Sequence, residues 1–236
     1  MNDLDGRVIA IAGAGGGLGP TVAKRLADDG AILALADRTQ EHADKVKDEL
    51  GLPDDRVDAR AVDLLDEKAA NAWAADLTDR FGHLDGLIHL VGGWRGGDPI
   101  ESFDLSDYEF LHDLLVRTVQ LASRAFHSGL SSSDHGRFVL VSAAAAQKPE
   151  GTNAAYASAK ASAEAWTLAL ADSFKDAKAT ANVIVVNAII TPAMREENPE
   201  KEYPTFTSAE DLADAIAFVC SDSAAKMNGQ RLALHP

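Results

Sequence analysis

The chain has 236 residues, of which 25% are charged and 46% hydrophobic, a length and balance that fit one globular core and exclude a disordered chain. Its 22 basic against 37 acidic residues leave a net charge of −15, which opposes binding to nucleic acid or anionic lipid. Any anionic ligand must therefore be held by local geometry. The single cysteine, Cys220, cannot form an internal disulfide, and the acidic start Met1-Asn2-Asp3-Leu4-Asp5 lacks the basic character of a secretion signal. No apolar run approaches the roughly 20 residues that span a bilayer. The expectation is a cytoplasmic protein with no membrane partner and no metal, whose Cys220 is a core thiol.

Short apolar runs rich in β-formers alternate with segments of helical period, the pattern of strand-helix units around a parallel sheet. The first strand, 8–12, runs into Ala12-Gly13-Ala14-Gly15-Gly16-Gly17-Leu18-Gly19, and helical spacing follows over 18–29 with Val22, Leu26 and Ala27. Glycines permit a tight turn and a close backbone approach to a pyrophosphate, and the helix start offers unpaired N–H groups. A second strand, 31–36, leads to Asp37, about 20 residues past the turn, where a carboxylate meets ribose hydroxyls. That carboxylate repels a 2′-phosphate and favours NAD over NADP, a preference weakened by Arg38 next to it.

Helix 40–50 with Thr39 as cap, strand 57–62 and helix 66–80 capped by Asp66 come next. The fourth strand, 87–91, reads Leu87-Ile88-His89-Leu90-Val91, nearly continuous in apolar character, as a strand buried on both faces requires. Gly92-Gly93-Trp94-Arg95-Gly96-Gly97 follows, at the carboxyl edge where open α/β sheets bind ligands. Two readings stand: a mobile loop pinned by one packed tryptophan, or Trp94 as a wall for a flat heterocycle beside the nicotinamide.

Apolar helices at 107–129 and 153–175 flank a strand at 138–141. In Asn153-Ala154-Ala155-Tyr156-Ala157-Ser158-Ala159-Lys160, Tyr156 and Lys160 stand four apart on one helix face. A neighbouring ammonium lowers the pKa of a phenol toward neutrality and makes it a usable proton donor or acceptor. Strand 182–186, helix 208–220 with the capping pair Ser208 and Asp211, and strand 231–234 complete the pattern. The proline-bearing, acidic stretch 189–207 reads as a long loop, a lid or irregular chain.

Together these residues resemble the short-chain dehydrogenase/reductase family over nearly the whole chain. The resemblance is carried by Gly13, Gly17 and Gly19, Asp37, Val62-Asp63-Leu64, Asp85-Gly86-Leu87-Ile88, Tyr156 and Lys160, Asn182, Thr191 and Gly229-Gln230. It implies a single α/β domain over residues 1–236, with a Rossmann-like, doubly wound sheet of seven parallel strands. It implies NAD, with NADP less favoured, against Gly13, Gly15, Gly16, Gly17, Leu18, Gly19, Asp37, Arg38, Asp63, Leu64, Gly92, Gly93, Tyr156, Lys160 and Thr191. Tyr156 would exchange the proton, Lys160 would contact the nicotinamide ribose and tune the tyrosine, and a homodimer or homotetramer would form through the two long helices.

Departures from the family pattern bear on the chemistry. Its Asn-Asn-Ala-Gly reads His89-Leu90-Val91-Gly92 here, its helical active-site Asn falls on Leu115, and its serine, thirteen before the tyrosine, falls on Ala143. Ser142 lies one place earlier, on the other face of a strand. A donor at the reacting oxygen is worth on the order of 100 to 1000 fold in rate, so ordinary ketone chemistry is handicapped. Gly92-Gly93-Trp94 without the serine, together with Thr191-Pro192-Ala193-Met194-Arg195, is similar to the dihydropteridine reductases, a branch of the family. That likeness implies reduction of a quinonoid dihydropterin by NADH, with Trp94 against the substrate. The alternatives are a reductase of another small carbonyl or quinone, and a non-catalytic dinucleotide-binding regulator.

Overall fold

The predicted apolar runs become strands of one sheet in the computed structural model, which describes residues 3–235. Met1 and Asn2 of the acidic start and Pro236 at the end lie outside the described residues. The strands are β1 (Val8–Ala12), β2 (Ile32–Asp37), β3 (Val57–Ala61), β4 (Gly86–His89), β5 (Arg137–Ala143), β6 (Thr180–Val186), the short β7 (Ile189–Ile190) and β8 (Thr207–Ser208), and β9 (Arg231–Ala233). Seven of them form a sheet in the order β3-β2-β1-β4-β5-β6-β9, with every pairing parallel.

Helices α1 (Gly19–Asp28), α2 (Gln40–Leu50), α3 (Glu67–Phe81), α4 (Leu105–His112), α5 (Thr118–Ser132), α6 (Ala154–Ser173), α7 (Pro192–Glu197) and α8 (Ala209–Cys220) join the strands. Alternation along β1 feeds a core on each side of the sheet. Val8, Ala10 and Ala12 pack with Trp73 of α3, Phe126 of α5 and Leu170 of α6, whereas Ile9 and Ile11 pack with Leu26 of α1 and Ile216 of α8. Thr39, Asp66 and Ser208 cap their helices as read, accepting from the amides of His42, Lys68 and Asp211. The strand order reverses between β1 and β4, so their carboxyl ends open the crevice in which such sheets place ligands.

Three expectations are corrected. The fourth strand stops at His89 rather than 91: Leu90 still donates to the Ala12 carbonyl, but the chain then bends away around the turn at Gly13. The helix expected at 107–129 spans α4 and α5 and is interrupted at Asp113–Arg117 by a π turn. The stretch 189–207 is not a plain loop. Its ends pair as β7 and β8, and α7 begins where Thr191 caps the Met194 amide at 3.3 Å with Pro192 in the first turn. Among the described residues no helix is long and apolar enough to cross a membrane, and no cluster of His, Cys, Asp and Glu is placed to hold a metal ion.

Candidate active site

The glycine turn is tied down from both sides. The Gly13 and Ala14 amides both donate to the Ala36 carbonyl of β2, at 2.9 and 3.0 Å. Gly13 has φ +82° and backs onto the segment after β4, where a Cβ would come 2.9 Å from the Val91 nitrogen; at Gly19 a Cβ would stand 1.9 Å from the Ala14 carbonyl oxygen. The turn therefore excludes side chains at both positions. The amides of Gly17 and Leu18 have no partner among the described residues, and they open directly onto the start of α1. Two free N–H groups at a helix N-terminus suit an anionic pyrophosphate. Thr191 faces them, since a Cβ on Gly17 would lie 3.2 Å from its methyl carbon.

Asp37, at the end of β2, holds one carboxylate oxygen on the Gly15 amide at 2.9 Å and the other on the Arg38 amide at 2.8 Å. The second oxygen also lies 3.2 Å from His42 Nδ1. His42 is a neighbour that the sequence reading missed, although its place five residues past Asp37, in the first turn of α2, marks it. The side chain of Arg38 is exposed. Asp63 accepts from the Leu65 amide at 2.9 Å and Leu64 is buried, so this segment forms a tight turn at the end of β3.

On α6, Lys160 is 7% exposed and its Nζ donates to the Val141 carbonyl at 3.0 Å. It stands 5.9 Å from the centre of the Tyr156 ring. Tyr156 is half-buried, and its hydroxyl has no hydrogen-bond partner among the described residues. Burial pushes the phenol up to about 12. Burial also pushes the Lys160 ammonium down to about 8, against the pull of Glu164. The expectation that the ammonium brings the tyrosine toward neutrality is thus corrected: loss of water outweighs an ammonium at this distance. At neutral pH Tyr156 carries its proton.

Ser142 does not replace the missing serine. Its hydroxyl donates to Glu164 Oε1 at 2.6 Å, and Glu164 Oε2 accepts from Arg231 Nε at 2.6 Å, so the buried Ser142 and Glu164 are tied to an exposed arginine rather than to the reacting site. Ala143 presents only a methyl group, and Leu115 lies in the π turn within a small apolar cluster with Leu111, Val116, Ala155 and Ala159, against which Tyr156 packs. Trp94 is 61% exposed. The pins of its loop are polar: the Gly97 amide donates to the Thr152 carbonyl at 2.8 Å, while Arg95 pairs with Asp107 and lies over the Phe110 ring. A Cβ on Gly96 would touch the indole at 3.1 Å, so one part of the ring rests on bare backbone. Gly92 and Gly93 are exposed, and Gly93 approaches Leu114 of the π turn.

Glycine turn, strand-end carboxylate and Tyr-Lys pair at one edge of this sheet define a dinucleotide-dependent oxidoreductase. The chain belongs to the short-chain dehydrogenase/reductase family: the family described as enoyl-(acyl carrier protein) reductase matches residues 13–235. Levodione reductase from Leifsonia aquatica is 28% identical, covering 94% of this chain and 90% of that protein. The 7alpha-hydroxysteroid dehydrogenase of Escherichia coli is 26% identical, over 97% and 92%. The crystal structure of 3-ketoacyl-(acyl-carrier-protein) reductase from Brucella melitensis complexed with NADH superposes with a TM-score of 0.83 at 27% identity, covering 98% of this chain and 97% of that one. None of these three is named for a pteridine, so the likeness to that branch rests on its short motifs alone.

Proposed function

We propose that the protein is a cytoplasmic reductase that uses NADH on a small, flat, conjugated ring, a quinone or a quinonoid heterocycle. The observation that carries this is Trp94: an exposed indole on a loop fastened to Thr152, four residues ahead of Tyr156, in a chain that has Ala143 and Leu115 where the family pattern has its serine and asparagine. A conjugated ring accepts hydride without concentrating charge on one oxygen, so it tolerates the missing hydroxyl donor. An aromatic wall and a nearby acid are what it still needs.

The free amides of Gly17 and Leu18 fit a pyrophosphate, and Asp37 at the rim fits the ribose of NAD. Gly13, Gly15, Gly16, Gly19, Arg38, Asp63, Leu64, Gly92, Gly93 and Thr191 complete the surface on which the dinucleotide would lie. When bound, the nicotinamide supplies the hydride. Tyr156, a phenol at neutral pH, donates the proton, and Lys160 places a charge beside it. The named reductases and dehydrogenases among the relatives support the reaction class, and the dihydropterin remains a candidate through Gly92-Gly93-Trp94. We also propose a homodimer or homotetramer through α4, α5 and α6, where Leu105 and Phe110 of α4 are exposed; light scattering that returns a monomer at micromolar concentration would contradict it.

The test is NADH oxidation with a quinonoid dihydropterin, a simple quinone and a saturated cyclic ketone, in wild type, Trp94→Ala and Tyr156→Phe. Turnover of a conjugated acceptor that both substitutions impair supports the proposal. A saturated ketone reduced as fast as the conjugated acceptors, or no turnover of any acceptor, overturns it.

A further inference from the structure

A buried histidine with nothing to bond is uncommon, because an imidazole removed from water loses hydrogen bonds that the protein must replace. His89 is 1% exposed at the carboxyl end of β4, and neither ring nitrogen has a hydrogen-bond partner among the described residues. Along β4, Leu87 enters the core shared with α5 and α6, and Ile88 the core shared with α1 and α8. His89 follows Leu87 toward α6.

Lys160 arrives from α6 at the same level. Its Nζ bonds the Val141 carbonyl, one residue beyond the Leu140 that pairs with His89 across the sheet. An ammonium has three N–H groups, and this bond engages one. The titratable groups around it are Tyr156 and Glu164 on α6 and His89 on β4. Glu164 has its two oxygens on Ser142 and Arg231, and Leu115 offers no polar atom. Burial, and next the charge of Lys160, hold His89 down to about 3, so its ring is neutral and keeps a lone pair at every working pH.

We infer that His89 is the positioning residue for Lys160: its imidazole, whose nitrogens have no other partner among the described residues, is the acceptor for a second N–H of the ammonium. The bond holds Nζ in place and favours its charged form. This rests on the reading that Lys160 works beside Tyr156, and it assigns a purpose to a position where the family pattern carries asparagine.

The test follows Lys160 itself, by NMR titration of its ε-carbon in the protein without substrate, the resonance being assigned by its loss in Lys160→Arg. In His89→Leu the midpoint falls by about one pH unit or more, because an acceptor for a charged donor is gone; His89→Asn, which returns an acceptor, recovers most of the fall. A histidine that only fills space would change the melting temperature in both variants and leave the Lys160 midpoint where it was, and that result overturns the inference. Should His89→Leu not fold, wild type decides: the imidazole nitrogen shifts of His89 step at the Lys160 midpoint, and their failure to step overturns it equally. None of these readings needs turnover, so failure of the proposed reaction is told apart from failure here.

Discussion

The carboxylate of Asp37 and the amide of Gly15 are joined by a 2.9 Å hydrogen bond that links the end of the second strand to the turn after the first. One oxygen braces the turn while the other faces His42, so the charge proposed to set the cofactor preference also stiffens the loop that would hold it. Asp37→Asn separates the two roles by keeping an acceptor and removing the charge. In fluorescence titrations NADPH should gain on NADH by at least about tenfold, the equivalent of 1.4 kcal/mol. An unchanged ratio would show that Asp37 does not set the preference.

Tyr156→Phe removes the one phenol on the crevice side of α6 and leaves its packing against Leu111 and Ala155 intact. The turnover number is expected to fall on the order of 100 to 10,000 fold, the usual worth of a positioned acid. NADH affinity, measured in the same protein, should stay within about twofold. Loss of binding together with turnover would mean that the ring is structural.

At Gly19 any side chain meets backbone. With the Cβ site 1.9 Å from the Ala14 oxygen, Gly19→Ala must open the turn, at an expected cost of about 1–3 kcal/mol in denaturant unfolding and most of the NADH affinity. Gly51→Ala is the control: φ there is +60° and nothing lies within 4 Å of a Cβ. It should cost about 1 kcal/mol of stability and leave NADH binding unchanged.

Stability should report the depressed Lys160 pKa. Its value of about 8 in the folded chain lies below the ordinary 10.5, so between those limits the unfolded chain binds more protons and stability rises with pH. Below pH 8 the folded state carries the full cost of the buried charge. The stability of wild type minus that of Lys160→Met should therefore grow by about 2–3 kcal/mol from pH 7.5 to 10, at roughly 1.4 kcal/mol per pH unit. The comparison stops at pH 10, because Tyr156, raised to about 12, lowers the stability of both proteins beyond it. A difference that does not change with pH would refute the depressed value.

What the sequence disclosed was chiefly what is local in the chain. The glycine turn, Asp37 and the Tyr156-Lys160 spacing are read from neighbours a few residues apart, and the caps at Thr39, Asp66 and Ser208 follow from one side chain reaching an amide two or three places on. Contacts across long separations were not legible. Glu164 reads as one more polar residue on an alanine-rich helix until Ser142, 22 residues before it, and Arg231, 67 after, are brought to its two oxygens. His89 resembles an interruption of an apolar strand until Lys160 is set beside it. In 189–207 the prolines masked a short helix, because a proline that forbids the middle of a helix is at home in its first turn.

The π turn at Asp113–Arg117 holds about one residue more per turn than an α-helix would, so it shifts the helix phase between α4 and α5. Each residue of an α-helix advances the face by about 100°. Deleting one residue from 113–117 would restore regular winding and swing α4 through about that angle relative to α5. Leu111 would leave the cluster that supports Tyr156, and Asp107 would draw its partner Arg95, and the tryptophan loop with it, away from their present place.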